Sequence, residues 1–170
     1  MIEILITKSM LHSAKLKAEN VKHQKTDIPS KFGYNHDMIL TGYLGEQLVL
    51  KYLKTAIDID DYQYDLLYNG LKIEVKTIAC KFKPKEDYLC TVNSRNDNVM
   101  TKQDADYYIF TRIQNDMSRG WILGYMKCKE FFEKGTFISK GNKVADGVEF
   151  RRSSGTCLEI SKLHKVKGDI

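Results

Sequence analysis

The dipeptide Asn69-Gly70 is the feature that most restricts how this chain can fold. It lies between two short runs rich in aromatic and β-branched residues. Asn-Gly in that position is the strongest local signal for a two-residue type I′ hairpin turn. A turn of this length fixes the register of the two strands. Counting outward from the turn therefore places Asp65 opposite Glu74.

The predicted hairpin brings two carboxylates together. Directly opposed residues on antiparallel strands have Cβ atoms about 4.5–5.5 Å apart, so Asp65 and Glu74 repel each other unless a cation lies between them. A divalent metal suits oxygen ligands of this kind. Lys76 shares a face with Glu74, because side chains alternate along a strand. A metal that acidifies water, beside an ammonium group that offsets phosphate charge, suits phosphodiester hydrolysis. The alternative is a solvated hairpin face on which Lys76 and Glu74 only screen each other.

The rest of the chain predicts two helices, a run of strands, a third helix and further strands. The helices are predicted at about 9–25, 41–54 and 127–134, with Thr41 as the N-cap of the second. The strands are predicted at about 62–68, 71–78, 88–93, 107–113, 121–126, 136–139 and 156–160. This order indicates an α/β (α+β) fold with a central sheet. The length of 170 residues and the lack of a linker predict a single domain over 1–170.

Glu46 is exceptional because it falls in the apolar arc of the second predicted helix. A buried carboxylate is unfavourable unless it is compensated, and a place near the hairpin site would explain it. A place in the first turn, with the side chain reaching a backbone N–H or water, is equally consistent with the pattern. The lysines of the first helix, among them Lys17, are predicted to form a solvated surface rather than a phosphate-binding one.

The net charge of +5 permits a polyanionic partner without requiring one. Each basic cluster is by itself typical of a solvated surface, but their joint location near the predicted site makes them candidates for phosphate contacts. These candidates are Lys81, Lys83, Lys85, Arg95, Arg151 and Arg152.

Several function classes are excluded at this stage. No apolar run approaches the eighteen or so residues of a membrane span, and no secretory signal is apparent, which predicts a cytoplasmic protein. The four cysteines lack metal-ligand spacing and are expected to be small apolar residues. No Gly-rich nucleotide loop occurs, so no nucleotide cofactor is expected.

The residues Glu46, Asp65 and Glu74-Val75-Lys76 together resemble the PD-(D/E)XK nuclease superfamily, which has a restriction-endonuclease-like fold. Tyr64 stands where the superfamily's first motif has its proline. Several wider segments are similar to small phage-type nucleases of the superfamily. They are Ile6-Thr7-Lys8, Gly42 to Glu46, Tyr64 to Leu67, Glu74 to Thr77, Asp106 to Phe110 and Trp121 to Tyr125.

The resemblance implies a central mixed β-sheet flanked by helices, and a metal-dependent nuclease that cleaves DNA to leave 5′-phosphate and 3′-hydroxyl ends. It implies Mg²⁺ or Mn²⁺ bound by Asp65, Glu74, Glu46 and the Val75 backbone carbonyl, with Lys76 as the catalytic lysine. It also allows pairing into a homodimer, and a host cytoplasm if the protein is phage-encoded. The alternative function is a nucleic-acid-binding protein that keeps the nuclease fold without cleaving.

Overall fold

The computed structural model of the chain describes residues 1–24, 36–59, 63–94, 104–144 and 154–167. Its architecture is α+β, as the order of predicted elements indicates. The helices are α1 (Lys8–Gln24), α2 (His36–Tyr52) and α3 (Cys128–Lys134), with a 3-10 helix at Ile160–Lys162. The strands are β1 (Ile2–Leu5), β2 (Ile57–Asp58), β3 (Leu66–Tyr68), β4 (Leu71–Cys80), β5 (Leu89–Ser94), β6 (Tyr107–Gln114), β7 (Arg119–Lys127), β8 (Thr136–Ile138) and β9 (Ser154–Glu159).

Six strands form the larger sheet in the order β1-β7-β6-β4-β3-β2. β4 and β6 run parallel, and the other neighbouring pairs are antiparallel, so this sheet is mixed. A smaller antiparallel sheet has the order β5-β9-β8. β4 carries Glu74 and Lys76 and lies inside the larger sheet, between β3 and β6.

The larger sheet has a hydrophobic core on each face. In β6, Ile109 belongs to the core shared with α1 and α2, whereas Tyr108 and Phe110 belong to the core shared with α3 and the smaller sheet. Burial on both faces explains why β6 begins with four consecutive aromatic and aliphatic residues. Ile73 and Val75 of β4 lie in the core of α1 and α2, which confirms the predicted alternation.

The Asn69-Gly70 hairpin forms as predicted. Both turn residues have positive φ, at 49° and 79°, which is the conformation that a type I′ turn requires. Leu66 pairs with Ile73 in the predicted register. The first strand of the hairpin is shorter than the predicted 62–68 and spans only Leu66–Tyr68.

The second helix begins earlier than predicted. α2 starts at His36, and the Thr41 hydroxyl donates to the Asp37 carbonyl at 2.6 Å. The prediction of Thr41 as an N-cap is therefore wrong: threonine can satisfy its hydroxyl within a helix by bonding to the carbonyl four residues back. As a result Glu46 lies ten residues after the start of the helix and not in its first turn.

Two short edge strands escaped prediction. β1 and β2 have four and two residues and lie at opposite edges of the larger sheet. Alternation is recognised over about four to eight residues, so β2 is too short to show it and β1 is at the lower limit.

All four cysteines are buried, as expected of small apolar residues. In the part of the chain that the structure describes, no helix is both long and apolar enough to cross a membrane. The organisation as a single domain stays a prediction.

Candidate metal centre

Asp65 lies where β3 and β4 separate. Its backbone N–H donates to the Ile73 carbonyl at 3.0 Å, although Leu66 already faces Ile73, so the register slips by one residue. Its Oδ2 accepts the backbone N–H of Val75 at 2.7 Å. Asp65 therefore does not face Glu74 within the ladder, as counting from the turn predicts, because that count assumes unbroken pairing. At this point the Asp65 side chain, and not a backbone carbonyl of the first strand, accepts the Val75 N–H of β4.

Glu74 and Lys76 form an ion pair on one face of β4. Lys76 Nζ donates to Glu74 Oε1 at 2.6 Å and lies 5.6 Å from the ring centre of Tyr108. Glu74 is only 8% exposed, so the alternative of a solvated hairpin face is wrong for this carboxylate. The proximity of Lys76 to Glu74 is confirmed.

Glu46 reaches the site because α2 lies very close to the sheet. A Cβ atom at Gly45 would overlap the hydroxyl groups of Thr77 and Thr111, which hydrogen-bond to each other at 2.9 Å. Glycine at this position lets the helix approach β4 and β6. Glu46 follows it, is 7% exposed, and its charge interacts with that of Asp65. Of the two positions left open by the sequence, the buried one near the hairpin is confirmed.

Lys17 is a partner of Glu46 that the sequence did not show. Its Nζ donates to Glu46 Oε2 at 3.1 Å and to Asp58 Oδ1 at 2.6 Å. The Lys17 side chain is 17% exposed, so the prediction of a solvated surface is wrong for this lysine. The position of Glu46 in an apolar arc was a signal that some group had to compensate its carboxylate. Nothing in the sequence distinguished Lys17 from the other lysines of α1, and nothing singled out Asp58.

Burial and like charge raise the pKa of two carboxyl groups. Burial raises the pKa of Glu46 from 4.5 to about 8, and the charge of Asp65 adds to the rise. The pKa of Asp65 rises from 3.8 to about 7, first because of burial and then because of the charge of Glu74. Nearby ammonium groups favour the ionised forms without cancelling the rise. Carboxyl groups perturbed in this way are concentrated at functional sites.

The donor atoms fit a divalent cation that prefers oxygen. Within the described ranges, no three His, Cys, Asp or Glu side chains are grouped so as to hold a metal by themselves. Mg²⁺ commonly binds through one or two carboxylates and keeps several waters, so Asp65 and Glu74 offer the type of ligand that it uses. The Val75 backbone carbonyl is a further oxygen donor on β4. A cation at these residues would also relieve the repulsion between the two carboxylates.

A basic loop follows β4, and its lysines Lys81, Lys83 and Lys85 are exposed. Phe82 within it is 66% exposed, with Lys81 Nζ 5.3 Å from its ring centre. β4 continues to Cys80, so at ~3.3 Å per residue the loop begins about 16 Å along the strand from Lys76. The loop is thus offset from the carboxylates. The candidates Arg95, Arg151 and Arg152 lie outside the described residues.

No protein-family model matches the chain, and no curated protein matches its sequence. The chemistry must therefore be argued from the site. Its defining feature is a group of carboxylates around Asp65 with two lysine partners. Glu46 and Lys17 come from α2 and α1, whereas Glu74 and Lys76 lie on the face of the larger sheet that carries Tyr108.

Proposed function

We propose that the protein is a metal-dependent nuclease of the PD-(D/E)XK type that hydrolyses phosphodiester bonds of DNA and leaves 5′-phosphate and 3′-hydroxyl ends. The observation that carries this proposal is the state of Asp65. Its carboxyl group is half-buried and accepts the Val75 N–H at 2.7 Å, and its charge interacts unfavourably with those of Glu46 and Glu74. Repulsion between these carboxylates destabilises the folded protein. A bound cation would remove the repulsion, and this relief would add to the affinity of the site for the cation.

The residues have distinct roles in this proposal. Asp65, Glu74 and the Val75 carbonyl would hold Mg²⁺ or Mn²⁺, with Glu46 beside them. The bound ion supplies an acidified water and neutralises charge on the phosphate. Lys76 is oriented by its 2.6 Å bond to Glu74, so its ammonium group can position the attacking water and offset phosphate charge.

A restriction-endonuclease-like fold is part of the same proposal. α2 precedes the hairpin and carries Glu46, and the hairpin carries Asp65 and Glu74. β6 then runs parallel to β4 and completes a mixed sheet with helices on both faces. These features support the assignment of the superfamily.

DNA is the proposed substrate because the chain offers positive charge beyond the site. The exposed loop lysines Lys81, Lys83 and Lys85 can neutralise phosphates, and the whole chain carries a net charge of +5. In this proposal Arg95, Arg151 and Arg152 are further phosphate contacts.

The proposal is tested by cleavage of labelled duplex, single-stranded and branched DNA, and of RNA, with Mg²⁺ or Mn²⁺. Asp65→Asn and Lys76→Met are compared with the parent. Lys129→Met and Glu133→Gln serve as controls, because they remove an exposed lysine–glutamate pair on α3. Cleavage lost only in the first two variants supports a nuclease.

The same panel addresses the alternative of a non-cleaving binder. If the parent binds DNA but cleaves no substrate, and Asp65→Asn and Lys76→Met bind equally well, the nuclease proposal is rejected. The chain would then be a nucleic-acid-binding protein that retains the fold.

A further inference from the structure

Lys17 connects two carboxylates on the α2 side of the site. Its Nζ is 3.1 Å from Glu46 Oε2 and 2.6 Å from Asp58 Oδ1, and it lies 5.2 Å from the ring centre of Tyr43. Burial opposes the charged form of Lys17, but the hydrogen bond to Asp58 and the charge of Glu46 more than compensate and raise its pKa. Lys17 is therefore an ammonium ion held between two acids.

The charges around the site suggest how many metal ions it can take. Four carboxylates (Glu46, Asp58, Asp65 and Glu74) and two ammonium groups (Lys17 and Lys76) are linked through these contacts and interactions. Lys17 already provides positive charge between Glu46 and Asp58, whereas Asp65 lies beside the like charges of Glu46 and Glu74. A divalent ion is therefore favoured at Asp65 and Glu74, and a second one at Glu46 and Asp58 would have to displace the Lys17 ammonium group that contacts both carboxylates.

We propose that Lys17 takes the place of a second metal ion: it occupies the Glu46–Asp58 side of the centre, so that one divalent ion binds, at Asp65 and Glu74. This inference rests on the nuclease-type metal centre proposed above and concerns its stoichiometry. Lys17 is a positioning residue in this view, because it fixes the Glu46 carboxylate beside Asp65 without contacting the substrate. Removal of Lys17 leaves Glu46 and Asp58 open to a second cation.

The test counts bound Mn²⁺ by isothermal titration calorimetry and by electron paramagnetic resonance of the free ion. We expect one Mn²⁺ per chain in the parent and two in Lys17→Met. The added site should disappear in the double variant Lys17→Met/Asp58→Asn. Lys15→Met is the matched control, because Lys15 is exposed on the same helix, and it should bind one Mn²⁺.

The outcomes separate this inference from the proposed function. One Mn²⁺ in the parent, lost in Asp65→Asn, with still only one in a folded Lys17→Met, rejects the role of Lys17 and keeps the metal centre. No Mn²⁺ bound by the parent rejects the metal centre, and with it the role of Lys17. If Lys17→Met does not fold, the number of Mn²⁺ ions bound by the parent and by Glu46→Gln still tests the inference. Two Mn²⁺ per chain in the parent and one in Glu46→Gln would overturn it.

Discussion

Two lysine–glutamate pairs flank Asp65, and they are built in different ways. Lys76 and Glu74 are two residues apart on one strand, whereas Lys17 and Glu46 are 29 residues apart on two helices. The first pair follows from the alternation of side chains along β4. The second exists only after α1 has packed against α2. The comparison separates the local chemistry of a site, which a sequence can show, from the tertiary contacts that support it.

The two pairs should also respond differently to mutation. Lys76 belongs to the proposed reaction, so its loss should mainly change catalysis. Lys17 supports a buried carboxylate, so its loss should mainly change folding stability and metal stoichiometry.

The largest effect is expected for Lys76→Met. Loss of a group that positions water and offsets phosphate charge should lower the cleavage rate by about 10²–10⁴-fold. Single-turnover cleavage at saturating DNA and Mg²⁺ measures this rate directly. The control Lys129→Met should cleave at the parental rate. If Lys76→Met cleaves as fast as the parent, Lys76 has no role in the reaction, and neither lysine–glutamate pair then acts in catalysis.

The second effect is a loss of stability in Lys17→Met. Without this lysine, Glu46 stays buried and loses the hydrogen-bond partner of its Oε2, and an unsatisfied buried group costs about 1–3 kcal/mol. Urea unfolding at neutral pH without metal measures the change in the free energy of unfolding. The exposed neighbour Lys15→Met should change it by less than about 0.5 kcal/mol.

A double-mutant cycle with Glu46→Gln shows whether that loss comes from the pair. Because Glu46→Gln removes the carboxyl group that Lys17 contacts, Lys17→Met should be less destabilising in that background. Strict additivity of the two changes would mean that Lys17 stabilises the protein through Asp58 or Tyr43 alone.

The same contrast explains how much could be predicted from sequence. The register from Leu66 to the turn followed from Asn69-Gly70, because a two-residue turn leaves few alternatives. Asp65 departed from that register: its N–H donates to the Ile73 carbonyl, and its side chain accepts the Val75 N–H. Local rules therefore placed Glu74 and Lys76 together on β4 but did not predict the way Asp65 is held.

The α2 side of the site was less predictable. The apolar arc placed Glu46 among buried residues, yet an incorrect helix start left its burial undecided. The close approach at Gly45 depends on Thr77 and Thr111 from two other strands, and the Lys17 contact depends on another helix. Contacts between distant segments leave no periodic trace in a single sequence, so these supports required the structure.

The third prediction concerns the pH dependence of stability without metal. Glu46 has a raised pKa, so between about pH 4.5 and 8 the folded protein holds a proton that the unfolded chain releases. The contribution of Glu46 to the stability of the fold is therefore fully present below about pH 4.5 and is lost as the pH rises to about 8. As the pH rises across this range, the free energy of unfolding of Glu46→Gln should increase relative to that of the parent. The increase should be on the order of 1 kcal/mol, since the coupled carboxyl groups share their protons.

Thermal unfolding of both proteins at several pH values, with and without Mg²⁺, measures this effect. The metal binds ionised carboxylates, so stabilisation of the parent by Mg²⁺ should increase as Asp65 loses its proton around pH 7. Asp65→Asn should lack that increase. If the unfolding temperatures of Glu46→Gln and the parent change with pH in parallel, Glu46 titrates as an ordinary carboxyl group. The part of the site on α2 would then resemble a solvated surface.

The smallest effect is expected in the basic loop, whose lysines are exposed, unlike Lys17 and Lys76. If Lys81, Lys83 and Lys85 neutralise phosphates, each change to alanine should reduce the magnitude of the salt slope of DNA binding by about 1. Binding is measured with Ca²⁺ in place of Mg²⁺ over a range of salt concentrations, with Lys129→Ala as the control. The cleavage rate at saturating DNA should stay at the parental value, because the loop begins about 16 Å along β4 from Lys76. Unchanged slopes in all three variants would remove the loop from the DNA contact surface, whereas a slower cleavage step would show that the loop acts on the reaction itself.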